Sequence, residues 1–370
     1  MPEFLKDRRV LIGGGAALVV LIVAIAAFAL GGDDDPTTTT TTEAADTTTT
    51  TEADDTTTTT TEADDTTTTV AAGPPSPLNG LAVPEGAELD RRVMAVKIDN
   101  HPNARPQSGI EQADAVWELL VEGGLTRFIA LYHHTDVDFV GPIRSGRPTD
   151  PTLVAITDGP LAFSGGQPWI QSIIRSAGVP MIGEVRPATT RVGFRSAPHN
   201  LYGDTELYRA YADERGYADE PPAEPLFTWG ELTDTEPATE ITLGWSSLQP
   251  DVAWKYQNDQ YLRFTGANAH TWRSRDGNET GQIAADTLVV LEAPRYSACP
   301  SGSGSCVPAQ DTVGSGRALV FHGGEVAEGT WARGTDDIPF SLAAADGSTL
   351  EVPAGRLWVM VFPTGRPIDW

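Results

Sequence analysis

Cysteine and methionine are scarce in this 370-residue chain, with two and four copies, and 25 basic residues face 51 acidic ones. Each shortage excludes something. A structural zinc site needs several Cys or His ligands at short spacing. Beyond Cys299 and Cys306 there is no further cysteine to supply them, so no metal is expected. Two cysteines flanking a Pro-Ser-Gly-Ser-Gly-Ser loop read instead as a disulfide formed in an oxidising compartment. Closing about eight residues stabilises by roughly 2.5 kcal/mol in the chain-entropy model. The formal net charge of -26 excludes duplex nucleic acid as a partner, because that binding rests on Lys and Arg neutralising phosphates. Nucleotide and hydrolase signatures are missing too: there is no Walker loop, GxGxxG, GxSxG or HExxH. No cofactor is expected. His133 and His134 are adjacent on a predicted strand, so they point to opposite faces and do not chelate together.

One long hydrophobic run is present. Val10 to Leu30 holds 21 residues without a charge, enough for a helix of about 30 Å, the thickness of a bilayer's hydrocarbon core. Lys6, Arg8 and Arg9 precede it and Asp33 to Asp35 follow. The positive-inside rule therefore predicts a single-pass membrane protein with a cytoplasmic stub (1–9) and everything after Leu30 outside. A cleaved signal peptide, cut near Ala24-Ile25-Ala26, is the competing reading, but its apolar region is usually shorter. Residues 31–77 form a Thr/Asp/Glu-rich linker. Its Thr37–Thr69 repeats offer nothing larger than Ala to bury, and their acidic clusters repel one another, so they predict a disordered stalk. With the stalk's 11 acidic residues and the nine N-terminal residues set aside, the remainder of the chain is still about -16.

From residue 78 the chain reads as α+β. Arg91–Asp99, Ala115–Val121 and Thr126–His134 predict strands, with Gly123-Gly124 as a hairpin signal between the last two. Apolar spacing of three and four predicts short helices in PTLVAITDG and PWIQSIIRSAG. GDTELYRAYADERG predicts a helix with Asp204 or Thr205 as N-cap and Gly216 closing it. This mixed α/β domain spans 78–225. After it, ITLGW, VAWKYQ-ND-QYLRFTG, DTLVVLEAPRYS, RALVFH-GG-EVAEGTWA and LWVMVFP are β-rich runs joined by turn dipeptides. They predict a mostly antiparallel β domain over 238–370, as a small sandwich or barrel. Its aromatic residues (Trp254, Tyr256, Tyr261, Trp272, Trp331, Trp358) read as core at period-two spacing, more than as a sugar-stacking surface.

Chemistry concentrates between Asp99 and Arg147. Arg105, Arg127, Arg144 and Arg147 sit in or beside Gly/Pro loops of an otherwise acidic protein. Guanidinium forks converging at strand ends are suited to a carboxylate, phosphate or sulfate. Asn100, Glu122 and Ser145 belong to the same cluster, and Ser164-Gly165-Gly166 adds backbone N–H groups before a helix. The bland reading is that these arginines pair internally with Asp114, Glu118 and Glu122. Two functions follow: binding of a small anion or cell-wall polymer, or hydrolysis or transfer on envelope glycan with Glu118 or Glu122 as acid/base. The second needs a carboxyl group with a raised pKa.

The series VKIDNHPNARPQSGIEQADAVWELLVEGGLTRFIALY, GPIRSGRPTD and FSGGQP, with DTVGSGRALVFHGGEVAEGTWAR and PAGRLWVMVFP further on, resembles the YerB-like family of bacterial lipoproteins, a family built on a domain of unknown function. The resemblance covers residues 78 to 368. It implies an α/β domain and a smaller β-rich domain held outside the membrane, and no particular activity. The chain departs from the family in two ways. It has a hydrophobic segment and Thr stalk where many relatives carry a lipid on Cys, and Phe163-Ser164 where relatives often have His before the Gly pair.

Overall fold

β-Branched and aromatic runs flanked by Gly and Pro turns set the first strands: β1 (Met94–Asp99), β2 (Ala115–Leu120) and β3 (Thr126–Tyr132). The structure, a computed structural model, describes residues 73–302 and 304–370. The hydrophobic segment and the stalk lie outside the described residues. Among the described residues, no helix is long and apolar enough to cross a membrane.

β1 runs antiparallel to β3, which runs antiparallel to β2. Two short strands, β4 (Leu161–Ala162) and β5 (Met181–Ile182), extend the edge in parallel with β1. The helices are short. α1 (Asp150–Val154) continues into a 3-10 turn, α2 (Pro168–Ser176) starts on a proline, and α3 (Thr205–Glu214) starts on Asp204, whose carboxylate accepts from the Leu207 N–H. Proline fixes a helical φ at a position with no partner for its N–H, and the Asp cap satisfies an orphan donor. Gly216 then turns with φ +67°, as a residue closing a helix does.

The chain after residue 238 was expected to close a sandwich or barrel of its own. Its strands are mostly antiparallel, but they divide between two sheets. Leu357–Pro363 lies parallel to β2 and to Thr287–Ala293, while Gly314–His322, Glu325–Arg333 and Ser341–Ala344 continue outward. One 11-stranded sheet thus runs through both halves of the sequence. The reason lies in LWVMVFP: all seven residues are buried, and a strand without a polar face belongs between neighbours with both faces covered.

Of the other C-terminal strands, Glu240–Leu243, Val252–Gln257, Gln260–Thr265 and Ile368–Asp369 belong to a second sheet of six strands, and two further hairpins stand apart from both sheets. Asn258 and Asp259 turn the Val252–Thr265 hairpin with φ of 51° and 61°, the geometry of a type I′ turn. The second sheet and α3 pack on one face of the large sheet, through Val96, Phe128, Trp254, Trp358 and Met360. α1, α2 and the Arg295–Gln310 hairpin, which carries the Cys299–Cys306 disulfide, pack on the other through Trp117, Ile129, Leu153, Ile170 and Val307. Trp254, Tyr261, Trp331 and Trp358 are core residues, as expected, and Tyr256 and Trp272 are partly buried against it.

Candidate functional site

Side chains alternate across a strand, so the register of β1, β2 and β3 sorts the polar cluster onto two faces. Glu118, opposite Phe128, shares the face under the six-stranded sheet with Thr126 and Asn100. Asp99, opposite Arg127, and Lys97, opposite Ile129, share the face under α1 and α2.

Under the six-stranded sheet the buried groups close a ring. Asn100 Nδ2 donates to Thr126 Oγ1 at 2.8 Å, which donates to Glu118 Oε1 at 2.7 Å. Arg263 Nη2 donates to that same oxygen at 2.6 Å, and its Nη1 donates to His270 Nδ1. His270 Nε2 then donates to Gln107 Oε1 at 2.8 Å, and Gln107 Nε2 reaches Asn100 Oδ1 at 3.3 Å. Each of these contacts pairs a donor with an acceptor, so one tautomer of His270 and one orientation of each amide serve the whole circuit, while the buried Arg263 Nε has no partner. Trp358 Nε1 takes the remaining Glu118 oxygen at 2.8 Å. Burial, with the charges of Arg263 and Arg105, holds the His270 pKa well below its usual value. Arg263 also lies within 6 Å of the rings of Phe128, Trp254 and Trp358. Beside the ring, a cavity of about 370 Å³ is lined in part by Asn100, Arg105, Thr126 and His270.

The opposite face is built at the carboxyl ends of the parallel strands β1, β4 and β5, where ligands commonly bind in open α/β sheets. Residues 144–147 follow one side and residues 163–167 the other. The two loops are tied by Ser164 N–H to Arg144 O at 3.0 Å and Gly146 N–H to Gly165 O at 3.3 Å. Gly146 permits the approach, since a Cβ there would meet Ile174 of α2 at 2.9 Å. Gly165 and Gly166 take φ of +73° and +132°, conformations L side chains rarely adopt. Gln167 Nε2 donates to Ser305 O, so the disulfide loop borders this site.

Charges here are paired one by one, with one left over. Arg144 Nε meets Asp99 Oδ2 at 3.1 Å, and Arg147 Nε meets Glu122 Oε2 at 2.7 Å. Lys97 and Asp150, both fully buried, pair at 2.6 Å. Burial, opposed by Asp150, takes the Lys97 pKa down to about 8. His199 Nδ1 donates to Asp99 Oδ2 at 2.7 Å and its ring stacks on His101 at 4.6 Å. Asp99 stays below the usual carboxylate range despite its burial, because Arg127, His199, the His101 N–H and Arg144 favour its ionised form. Arg127 is 8 % exposed and donates once, to Ser145 O at 2.9 Å, while its Nε has no partner. Among the described residues no carboxylate lies within ion-pair distance of it. Burial first, then Arg147, lowers the Arg127 pKa to about 10.

Of the residues singled out in the sequence, Glu122, Arg127, Arg144, Ser145, Arg147, Ser164, Gly165 and Gly166 gather at the carboxyl-end loops. Asn100 and Arg105 lie on the other face, so the four arginines do not converge. Internal pairing holds for Arg147 with Glu122. Glu118 belongs to Arg263, and Asp114 to His134 at 2.7 Å. Ser164 donates to Glu184 at 2.7 Å. Sequence reasoning missed Lys97, Asp150, Gln107, Arg263 and His270. The last two come from more than 130 residues beyond β3, and no motif announces them.

Two family models match the chain. The N-terminal domain of the protein of unknown function DUF3048 matches residues 78–218, and the corresponding C-terminal domain matches residues 241–359. The curated protein "Putative lipoprotein YerB" of Bacillus subtilis (strain 168) is 29% identical over 302 residues, covering 78% of this chain and 86% of the relative. The chain belongs to the YerB-like family. The crystal structure of the YerB protein from Bacillus subtilis shares the fold, with a TM-score of 0.68 at 24% identity, over 80% of this chain and 99% of that one. A match to the New glue protein family spans residues 16–101; much of that stretch is the Thr repeat, and a repetitive composition carries no functional argument.

Proposed function

We propose that this protein is a membrane-anchored, extracytoplasmic envelope protein that binds an anionic group, as carried by a wall polymer, at the 144–147 and 163–167 loops beside β1 and β4. One observation carries the binding reading: Arg127 is a buried cation without a carboxylate, beside two cations that have one each. Three guanidinium groups against Asp99 and Glu122 leave one positive charge in a protein of strongly negative charge. A buried, unpaired ion is costly, and an incoming anion on the Arg127 fork offsets that cost. The partly exposed Ser145 and the exposed Gly165 lie on the two loops beside it.

Anchoring rests on Val10–Leu30 and its flanking charges, and on the lipoprotein description of the Bacillus subtilis relative. The disulfide fits an oxidising exterior. The acid/base alternative loses both carboxylates. Glu118 is fully buried with its oxygens held by Thr126, Arg263 and Trp358. Burial raises the Glu122 pKa, but the Arg147 hydrogen bond and charge bring it below the ordinary value, the wrong direction for a general acid.

Calorimetric titration of inorganic phosphate and of a glycerol-phosphate oligomer into the residue 73–370 protein tests the binding. Binding should weaken about tenfold or more in Arg127→Gln and Arg144→Gln. Unchanged affinity in both variants overturns the proposal.

A further inference from the structure

The cavity on the other face is independent of the Arg127 loops. It lies between the Asn100–Pro106 loop of the N-terminal half and the hairpin strands of the six-stranded sheet, and holds about 370 Å³. That is at the small end of the range for ligand sites.

Arg105 is its only charged lining residue among those described. The guanidinium is positioned from one side: Nε donates to Asn100 Oδ1 at 2.8 Å and Nη2 to Asn100 O at 3.0 Å. Nη1 has no hydrogen-bond partner among the described residues, and no carboxylate lies within ion-pair distance of the group. The nearest buried carboxylate, Glu118, is already matched by Arg263 in the closed ring beneath. Burial, then the charge of Arg263, lowers the Arg105 pKa to about 10. The cavity therefore presents one positioned, uncompensated cation.

The rest of the wall defines what can accompany an anion. Leu125, Trp245 and Pro250 supply apolar surface, and Asn268 and Thr271 supply neutral polar groups. No acidic residue lines it, so an ammonium group would find no counter-charge, which disfavours amino acids and other zwitterions. A single free donor edge on Arg105 suits one carboxylate better than a doubly charged phosphate, which prefers several donors.

We infer that this cavity is a second ligand site, taking a small monocarboxylate with an apolar body whose carboxylate sits on Arg105. The site is formed by both halves of the chain, since Arg105 belongs to one and Trp245, Asn268 and Thr271 to the other. Occupation would tie the Asn100–Pro106 loop to the six-stranded sheet.

The test is titration of benzoate and hexanoate, against the neutral isosteres benzamide and hexanamide, into the residue 73–370 protein. Carboxylates should bind, with the amides about tenfold weaker or more. Arg105→Gln should remove that preference, and Arg144→Gln should leave it intact, which separates this site from the loops of the opposite face. Ala269→Trp, at an exposed position on the rim, should block acid and amide alike without touching Arg105 or the ring. The inference falls if benzamide matches benzoate, if Ala269→Trp binds benzoate as the parent does, or if folded protein gives no binding of either acid at millimolar concentration.

Discussion

The two faces of the large sheet handle buried charge in opposite ways. Under the six-stranded sheet, Glu118 and Arg263 are both fully buried and paired with each other, with Thr126, Trp358 and His270 as further hydrogen-bond partners. Under α1 and α2, Arg127 is nearly as buried but has a single carbonyl for company. A charge-balanced network fixes two parts of a chain in one arrangement. An unsaturated cation is a standing cost that a ligand can remove. The same residue type thus does two jobs, and the count of its partners tells them apart.

Removing one member of the charge-balanced pair gives the largest effect. Arg263→Met leaves Glu118 buried without its counter-charge and should cost about 3–5 kcal/mol, read as a lower denaturant midpoint at unchanged slope. Adding Glu118→Leu should recover part of that loss, because the orphan charge is then gone. A single variant with near-parental stability would show that the ring is not what joins the halves. The disulfide comes next. Cys299→Ser with Cys306→Ser should cost about 2.5 kcal/mol from the loop-entropy term. Because the disulfide loop meets Gln167, this pair of changes should also weaken phosphate binding at the Arg127 face and leave benzoate binding unaffected.

How much of this could be read in advance follows the range of the interactions. β1, β2 and β3 came from local pattern, and so did the Asp204 cap, the Gly-Gly hairpin and the disulfide. Arg147 and Glu122 are 25 residues apart and were within reach as an internal pair. Arg263 is 145 residues from Glu118, and one sequence holds no trace of that pairing. Lys97 and Asp99 are the polar members of an alternating strand. They are buried with Asp150, at the start of α1, and Arg144, from a later loop, neutralising them. The shared sheet had a visible signal in LWVMVFP, whose unbroken apolar run is at odds with a half-exposed strand. The split of the arginines followed from strand register at Asp99 and Asn100, since successive residues face opposite ways.

Acid separates the faces more gently. His270 is neutral when folded and titrates well below its unfolded value. Below the unfolded pKa the unfolded chain therefore binds the extra proton, so stability falls as pH drops from 7 toward 5. Chemical denaturation at the two pH values should show this loss in the parent. His270→Gln, which cannot take up the proton, should show a smaller pH-dependent loss. An identical loss in both would assign the acid sensitivity to groups outside the ring, such as His133, whose pKa burial also lowers.

The smallest stability effect should come from the other face, and its sign is the informative part. Arg127→Met removes a buried cation that no carboxylate neutralises, and replaces it with an apolar chain of similar length. The unpaired charge and its orphaned Nε then disappear together, so the folded state should change by no more than about 1 kcal/mol, and in the favourable direction if it changes. Phosphate binding should be lost at the same time. That pairing of outcomes, stability kept and binding gone, is what distinguishes a cation held for a ligand from one held for the fold. A loss as large as that of Arg263→Met would place Arg127 among the structural charges, tied to Asp99 and Glu122 through space, and would leave the carboxyl-end loops without their claim on an anion.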